Sequence, residues 1–369
     1  MYMKKIKRLL CIVNCMDTGG AETFLMKLYR KLNKEKYQMD FCILSKEKGF
    51  YEDEIIGLGG KVYHIPPKTG HLLKSLSGLV KVVRHGKYKY VLRIGSQSLV
   101  AIDLLFARFG GARRLALRST NADLGASKVR KILHFVFGLL PKVVPTIKIA
   151  PSEKAAVFLF GKKSVARNKV FYLKNAIPIS EFEFDEEIRN EIREELKLDQ
   201  KFVVGHVGRF APQKNHDFLI DIFQCIKERN RNAVLLLIGE GERKDMILEK
   251  VKVLKLEDSV RFLGIRNDVN KVLMAMDVFL FPSFYEGMPN TVIEAQTAGL
   301  SVYTSDAITR EANITGQVRY LSLSESAQRW SDEVSSTKKI QRKESATKMR
   351  AAGYDIESIT NEFEKLIFE

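Results

Sequence analysis

Three short stretches of this chain bring together residue types that can handle a phosphorylated ligand. Thr18–Gly19–Gly20–Ala21–Glu22 sets a glycine pair between an apolar run and an amphipathic one. Glycines in such a turn let the backbone approach a ligand, and the N–H groups of the following helix favour an anion. It is not GxGxxG, so the dinucleotide-binding fingerprint is not met. The second stretch is GRFAPQKNH, from Gly208 to His216. Its Arg209 and Lys214 lie on one loop after an apolar strand and can converge on a diphosphate, the first as a planar fork and the second as a point charge. The third, FPSFYEGMPNTVIEA, ends a strand at Pro282, turns through Gly287, Met288 and Pro289, and opens a helix near Asn290. Glu286 falls in that loop and Glu294 in the helix. The backbone N–H groups of Asn290 and Thr291 at the helix start suit a phosphate, and proline suits a first helical turn.

The elements that must hold these loops read as alternating β and α. Short β-rich apolar runs are expected at 8–14, 39–44, 61–65, 90–94, 114–118 and 148–151, with amphipathic helices at 21–33 and 70–89. Near residue 175 the sequence turns through Asn175–Ala176–Ile177–Pro178, and acid-rich helical sequence follows. A second series then has strands at 202–207, 234–238, 260–262, 278–282 and 300–303. Such alternation signals parallel sheets covered by helices, and two series make two Rossmann-like domains. A break at 351–353 precedes a last amphipathic helix.

Composition narrows the class further. Forty-five per cent hydrophobic and 28% charged residues exclude a collagen-like or disordered chain. The four cysteines (Cys11, Cys15, Cys42 and Cys225) form no CxxC pair and no zinc-site spacing, so free thiols in a reducing cytoplasm are expected. The formal charge of +17 is unevenly spread: residues 1–180 carry 34 Lys+Arg against 11 Asp+Glu, and residues 181–369 carry 27 against 33. Asymmetry of this size points to a polyanionic partner of the first half.

Taken together, the three motifs resemble those of a known family. EGMPNTVIEA resembles the E-x7-E motif of the retaining family 4 glycosyltransferases, GRFAPQKN their GR(F/L)xxxKN loop, and TGGAE their N-terminal glycine loop, all in the family's order. The pieces GEG (239–241) and FLG (262–264) also fit, and SDAITREANIT with the terminal AGYDIE is similar to the bacterial exopolysaccharide and capsule branch. The resemblance implies a GT-B fold: two Rossmann-like domains facing across a cleft, with a C-terminal helix crossing back to the first. It implies an acceptor-binding domain over 1–178, a nucleotide-sugar-binding domain over 179–350, and a helix over 351–369 packing on the N-terminal domain.

The same resemblance implies roles. Arg209 and Lys214 would bind the donor diphosphate and stabilise the leaving group, and Glu286 would contact the transferred sugar. Glu294 would bind the ribose hydroxyls. Gly208, Glu240, Ile265, Gly287, Met288, Asn290 and Thr291 would line the donor site, and Gly19 and Gly20 would admit the phosphates. No metal and no cofactor beyond the nucleotide sugar, a UDP-sugar, is expected, and transfer would retain anomeric configuration. One departure stands out: where many members carry a first-domain histidine, this chain has Arg118, Ser119 and Thr120. Arg118 or Ser119 takes over that contact, or donor preference or activity is altered.

The basic half carries the partner expectation. Residues 61–150 hold 17 Lys+Arg and only Asp103 and Asp123 as acids. Residues 128–145 (KVRKILHFVFGLLPKVVP) set cations among large apolar residues, as an interfacial membrane helix does, although a buried core helix has the same pattern. Lys128, Arg130, Lys131, Phe135 and Phe137, with Arg118, are therefore candidates for contact with an acceptor or membrane. A polyprenyl-diphosphate-linked glycan at the cytoplasmic face of the membrane would account for both cations and apolar residues. Rival readings are a two-domain sugar-nucleotide epimerase or hydrolase, a catalytically impaired relative, and a nucleic-acid-binding module, the last unsupported by any binding motif.

Overall fold

Strand β1 (Lys7–Val13) sets the plan of the first half: Leu9, Cys11 and Val13 enter one hydrophobic core, and Leu10 and Ile12 the other. A strand buried on both faces is what a parallel sheet between two helix layers requires. The structure, a computed structural model, describes residues 6–17, 19–120, 128–286, 288–337 and 341–369, without the side chains of 128–130. The chain divides into two compact units, Met1–Ile177 with Asp355–Glu369, and Pro178–Tyr354.

In the first unit β1 is joined by β2 (Tyr37–Ile43), β3 (Val62–His64), β4 (Tyr90–Ile94), β5 (Arg114–Arg118), β6 (Ile147–Ala150) and β7 (Phe171–Tyr172). The sheet is parallel, in the order β3-β2-β1-β4-β5-β6-β7. The strand order reverses between β1 and β4, so the loops leaving these neighbours diverge and leave a crevice at their C-terminal ends. The last helix, Ile356–Phe368, buries Ile356, Ile359, Phe363, Ile367 and Phe368 in the first unit's core. Phe368 stacks on Tyr37 at 4.3 Å, and its carbonyl accepts from Lys7 Nζ at 2.8 Å. Arg114 donates to the Leu366 carbonyl at 3.0 Å, so two cations meet the negative end of this helix.

The second unit is a parallel sheet of β8 (Phe202–Val207), β9 (Ala233–Ile238), β10 (Val260–Gly264), β11 (Val278–Phe281), β12 (Ser301–Ser305) and β13 (Val318–Leu321). Its order is β10-β9-β8-β11-β12-β13, with the reversal between β8 and β11. The sequence missed only the edge strands β7 and β13, where no continuous apolar run exists because an edge needs less of one. The stretch 128–145 is not one helix: it breaks into Lys128–Val136 and Leu140–Val143 around Gly138.

Candidate active site

The reversal in the second unit places two sequence motifs side by side. The loop after β8 carries Gly208, Arg209 and Lys214; the loop after β11 carries Glu286. Glycine at 239, with φ of 140°, lets the β9 loop pass under the β8 loop: a Cβ there would lie 2.2 Å from the Gly208 carbonyl oxygen. Phe210 N–H then donates to the Glu240 carbonyl at 3.0 Å, and Arg243 N–H to that of Phe210 at 3.0 Å. A short 3-10 turn, Pro212–Lys214, ends at Asn215 in the left-handed region (φ 56°), and helix His216–Arg229 begins.

The two loops are tied directly. Lys214 Nζ meets Glu286 Oε1 at 2.6 Å, with side chains only 18% and 15% exposed. Gln213 Nε2 donates to the Tyr285 carbonyl at 2.8 Å, and Phe284 N–H to that of Gln213 at 2.9 Å. The Lys214 ammonium also lies 4.6 Å from the Phe281 ring centre. Arg209, by contrast, is exposed and has no ion-pair partner among the described residues. Helix Asn290–Thr297 opens behind Pro289, and the N–H groups of a first turn lack intrahelical acceptors. Asn290 Oδ1 and Thr291 Oγ1 in that turn are buried atoms without hydrogen-bond partners, as is Ser283 Oγ just after β11. Buried polar atoms without a partner are exceptions in folded proteins, and these three flank the loop after β11.

Two histidines beneath the loop were not singled out from the sequence. His206 is fully buried; its Nδ1 donates to the Leu280 carbonyl at 2.8 Å, which leaves Nε2 without a proton or a partner. Burial pushes its pKa well down, with His216 adding to the effect. His216 stacks on Phe210 at 4.2 Å and is pushed down to about 4 by burial and then by Lys214. Both rings are therefore neutral near pH 7. His206 packs against Gly208, where a Cβ would lie 2.9 Å from its Nε2 and 3.3 Å from the Lys214 side chain. The signal that could have found them is their spacing, one inside β8 and one opening the next helix, which brackets the GRFAPQKN loop.

Of the remaining expected donor residues, Glu294 is half-buried on helix Asn290–Thr297, and Met288 is half-buried ahead of it. Glu240 is exposed and paired with Lys244 at 2.7 Å; Ile265 is exposed after β10. Gly287 lies outside the described residues.

The first unit has its own crevice at the β1/β4 reversal, a cavity of ≈ 680 Å³ lined by Gly20, Glu22, Lys68, Arg93 and Gln97 among others. Gly19 adjoins it in sequence, and a Cβ there would meet Glu22 Oε2 at 2.3 Å. Beneath the cavity, buried Asp103 accepts from Arg93 Nε at 2.8 Å and pairs with Lys68 Nζ at 2.6 Å. One carboxylate between two cations leaves the cluster net positive. Burial lowers the Lys68 pKa and raises that of Glu22. The sequence held a clue to this cluster: Asp103 is one of only two acids among residues 61–150, as expected of a buried counter-ion.

The acceptor or membrane candidates separate. Arg118 is only 1% exposed, lies 3.8 Å from the Phe24 ring centre, and donates to Asn175 Oδ1 at 2.7 Å. As the last residue of a central strand it points into the core, so its placement at a membrane surface is corrected; burial lowers its pKa to about 9. Lys131 and Phe135 are exposed, the latter by 86%, and Phe137 is half-buried. Helix Lys128–Val136 is anchored by His134, whose Nδ1 lies 3.1 Å from Ser98 Oγ, while Ile132 and Val136 face solvent. Helix Lys128–Val136 is thus largely exposed, while further along the stretch Leu140 and Val144 pack on the first unit's core. The side chains of Lys128 and Arg130 lie outside the described set.

Two Rossmann-like units, with paired motifs at a reversal of strand order in the second, are the architecture of the GT-B fold. Residues 188–355 match the family model "Glycosyl transferases group 1". EpsF of Bacillus subtilis, which bears a glycosyltransferase name, is 31% identical over 89% of this chain and 87% of its own. The chain belongs to this glycosyltransferase family, in the branch that includes exopolysaccharide and capsule enzymes. An Escherichia coli relative, UDP-Gal:alpha-D-GlcNAc-diphosphoundecaprenol alpha-1,3-galactosyltransferase, is 26% identical over 78% of this chain and 76% of its own. In fold, the chain matches Anabaena HepE, solved in complex with UDP, with a TM-score of 0.76 at 18% identity over 98% of this chain and 99% of that one.

Proposed function

We propose that this protein transfers a sugar from a UDP-sugar to a polyprenyl-diphosphate-linked glycan, with retention of anomeric configuration, in the building of a surface polysaccharide. The observation that carries this reading is the Lys214–Glu286 pair at the β8/β11 crevice, with the unpaired Arg209 on the same loop. The UDP bound by the HepE structure and the lipid-linked acceptor in the name of the E. coli relative support the choice of substrates.

Departure of a nucleoside diphosphate builds negative charge on its phosphate oxygens while the sugar becomes oxocarbenium-like. Arg209, Lys214 and the first turn of helix Asn290–Thr297 supply positive potential where that charge grows. Protein cations thus do what a divalent metal does in other transferases. Glu286 contacts the transferred sugar and holds Lys214 in place, and Glu294 binds the ribose. Glu240 and Ile265 border the base; Gly208, Gly287 and Met288 leave room for the donor, and Gly19 and Gly20 allow phosphates to approach the backbone. The donor β-phosphate takes the acceptor hydroxyl's proton, and attack comes on the face the leaving group vacates. Among the described residues no helix is long and apolar enough to cross a membrane. The protein works from the cytoplasm, bound peripherally at the inner membrane face through its basic first unit.

The test is transfer from a panel of UDP-sugars to a short-chain polyprenyl-diphosphate glycan, with the product anomer read by NMR. Arg209→Ala should cost about 2–4 kcal/mol of transition-state stabilisation, a fall in kcat/KM on the order of a hundredfold, the scale of one lost oxyanion donor, with an unchanged melting temperature because the side chain is exposed. Turnover within a few-fold of wild type would refute the assignment, and an inverted anomer would refute retention.

A further inference from the structure

The charges around the β1/β4 crevice decide what it can hold, because its two cations are already engaged. Arg93 uses four of its five N–H groups inside the protein. Nε donates to Asp103 at 2.8 Å, Nη1 to the carbonyls of Ile12 at 3.1 Å and Ile94 at 2.8 Å, and Nη2 to Asn14 Oδ1 at 2.8 Å. Lys68 meets the same Asp103 at 2.6 Å. Against these two positive charges stand two negative ones, Asp103 beneath the cavity and Glu22 in its lining. Glu22 thus cancels the excess that Lys68 and Arg93 leave over Asp103, and the crevice is close to neutral among the described residues.

Glu22 differs from the other three in having no ion-pair partner among the described residues. It stands in the first turn of helix Gly20–Lys31, and its carboxylate folds back over the glycine loop, with Oε2 at 2.3 Å from where a Cβ on Gly19 would sit. Burial raises its pKa and Asp17 adds to the rise, while its own backbone N–H and Arg93 oppose it. A phosphate brought beside this carboxylate would meet like charge, whereas a hydroxyl would donate to it in a charge-assisted hydrogen bond. The other polar side chains available in the lining, Thr69, Ser96 and Gln97, are neutral and can each donate or accept. A volume of ≈ 680 Å³ is ample for one sugar ring. We propose that this crevice holds a neutral pyranose of the acceptor, and that Glu22 selects it by accepting a hydrogen bond from one of its hydroxyls. The inference rests on the glycosyltransferase reading and adds which part of the acceptor the crevice recognises: a sugar ring and not a phosphate. Nothing lies within 4 Å of where a Cβ on Gly20 would sit, so phosphates can still approach the backbone of the glycine loop there.

The experiment is saturation-transfer NMR of the full chain, with UDP present at saturation, against a panel of neutral methyl pyranosides. At least one glycoside should bind the wild type. Glu22→Gln keeps the shape of the side chain and removes a partly buried charge, so it should melt no lower than wild type while binding that glycoside about tenfold more weakly, the scale of a hydrogen bond to a charged group. Gln97→Ala, on the opposite side of the sequence motif, should also weaken it. A glycoside signal that survives in both variants would place the sugar elsewhere and overturn the proposal, as would a panel without any binder. Displacement of the glycoside by inorganic phosphate at matched ionic strength would overturn it too, since the crevice would then be an anion site. UDP affinity, measured by calorimetry on the wild type and both variants, tests the glycosyltransferase reading separately. Equal UDP binding by all three without a glycoside signal sinks the crevice assignment alone, and no UDP binding by the wild type sinks the reading beneath it.

Discussion

Glu286 and Lys214 make a prediction with opposite signs for binding and for turnover. The Glu286 carboxylate sits 2.6 Å from the Lys214 ammonium, the cation assigned to the donor diphosphate. A diphosphate oxygen reaching Lys214 at a charge-assisted hydrogen-bond distance would lie about 5–6 Å from that carboxylate. The repulsion between one carboxylate and two phosphate charges at that separation is about 1.5 kcal/mol even with the dielectric of water. Glu286→Gln removes it while keeping the shape of the side chain. UDP should therefore bind the variant about tenfold more tightly than wild type. Turnover should fall by at least about a hundredfold, because the contact to the sugar loses its charge. Titration calorimetry with UDP and a coupled UDP-release assay measure the two halves. If UDP binds the variant no more tightly than wild type, Glu286 and the diphosphate do not share Lys214, and the assignment of the pair to the leaving group is wrong.

Three further outcomes follow from the cores. His216 titrates at about 4 when folded against 6.5 for a free imidazole, so the unfolded chain binds its proton more readily. Its contribution is complete above pH 6.5 and is lost as pH falls toward about 4, a loss of about 3 kcal/mol; His216→Phe should flatten the acid limb of a stability–pH curve measured by denaturant melts. Phe368→Ala empties a buried site between Tyr37 and Tyr90 and should cost about 3 kcal/mol, read as a lower urea midpoint of the first unit. Asp103→Asn leaves Arg93 and Lys68 buried without a counter-charge and should lower the melting temperature by about 10 °C or more. A variant melting like wild type would show that Asp103 is not their counter-ion.

Much of this protein is legible along the chain. Apolar runs of strand length alternating with amphipathic ones dictate two parallel sheets, because only helices on both faces can cover strands that are apolar on both sides. GRFAPQKN and EGMPNTVIEA each read as a loop between a strand and a helix, as they are. The last helix also follows from local pattern. Three features do not. The Lys214–Glu286 pair joins residues 72 positions apart, and only the strand order, with β8 beside β11, makes them neighbours. His206 and His216 look like any strand and helix residues until burial removes their water and lowers their pKa values. Arg118 and Phe135 read alike along the chain as residues for an acceptor or membrane, yet one is sealed in a central strand and the other is exposed. Sequence periodicity determines which residues an element can bury. Which face meets a core, which meets water, and which distant loop arrives alongside depend on packing between elements, and that is decided only when the sheet assembles.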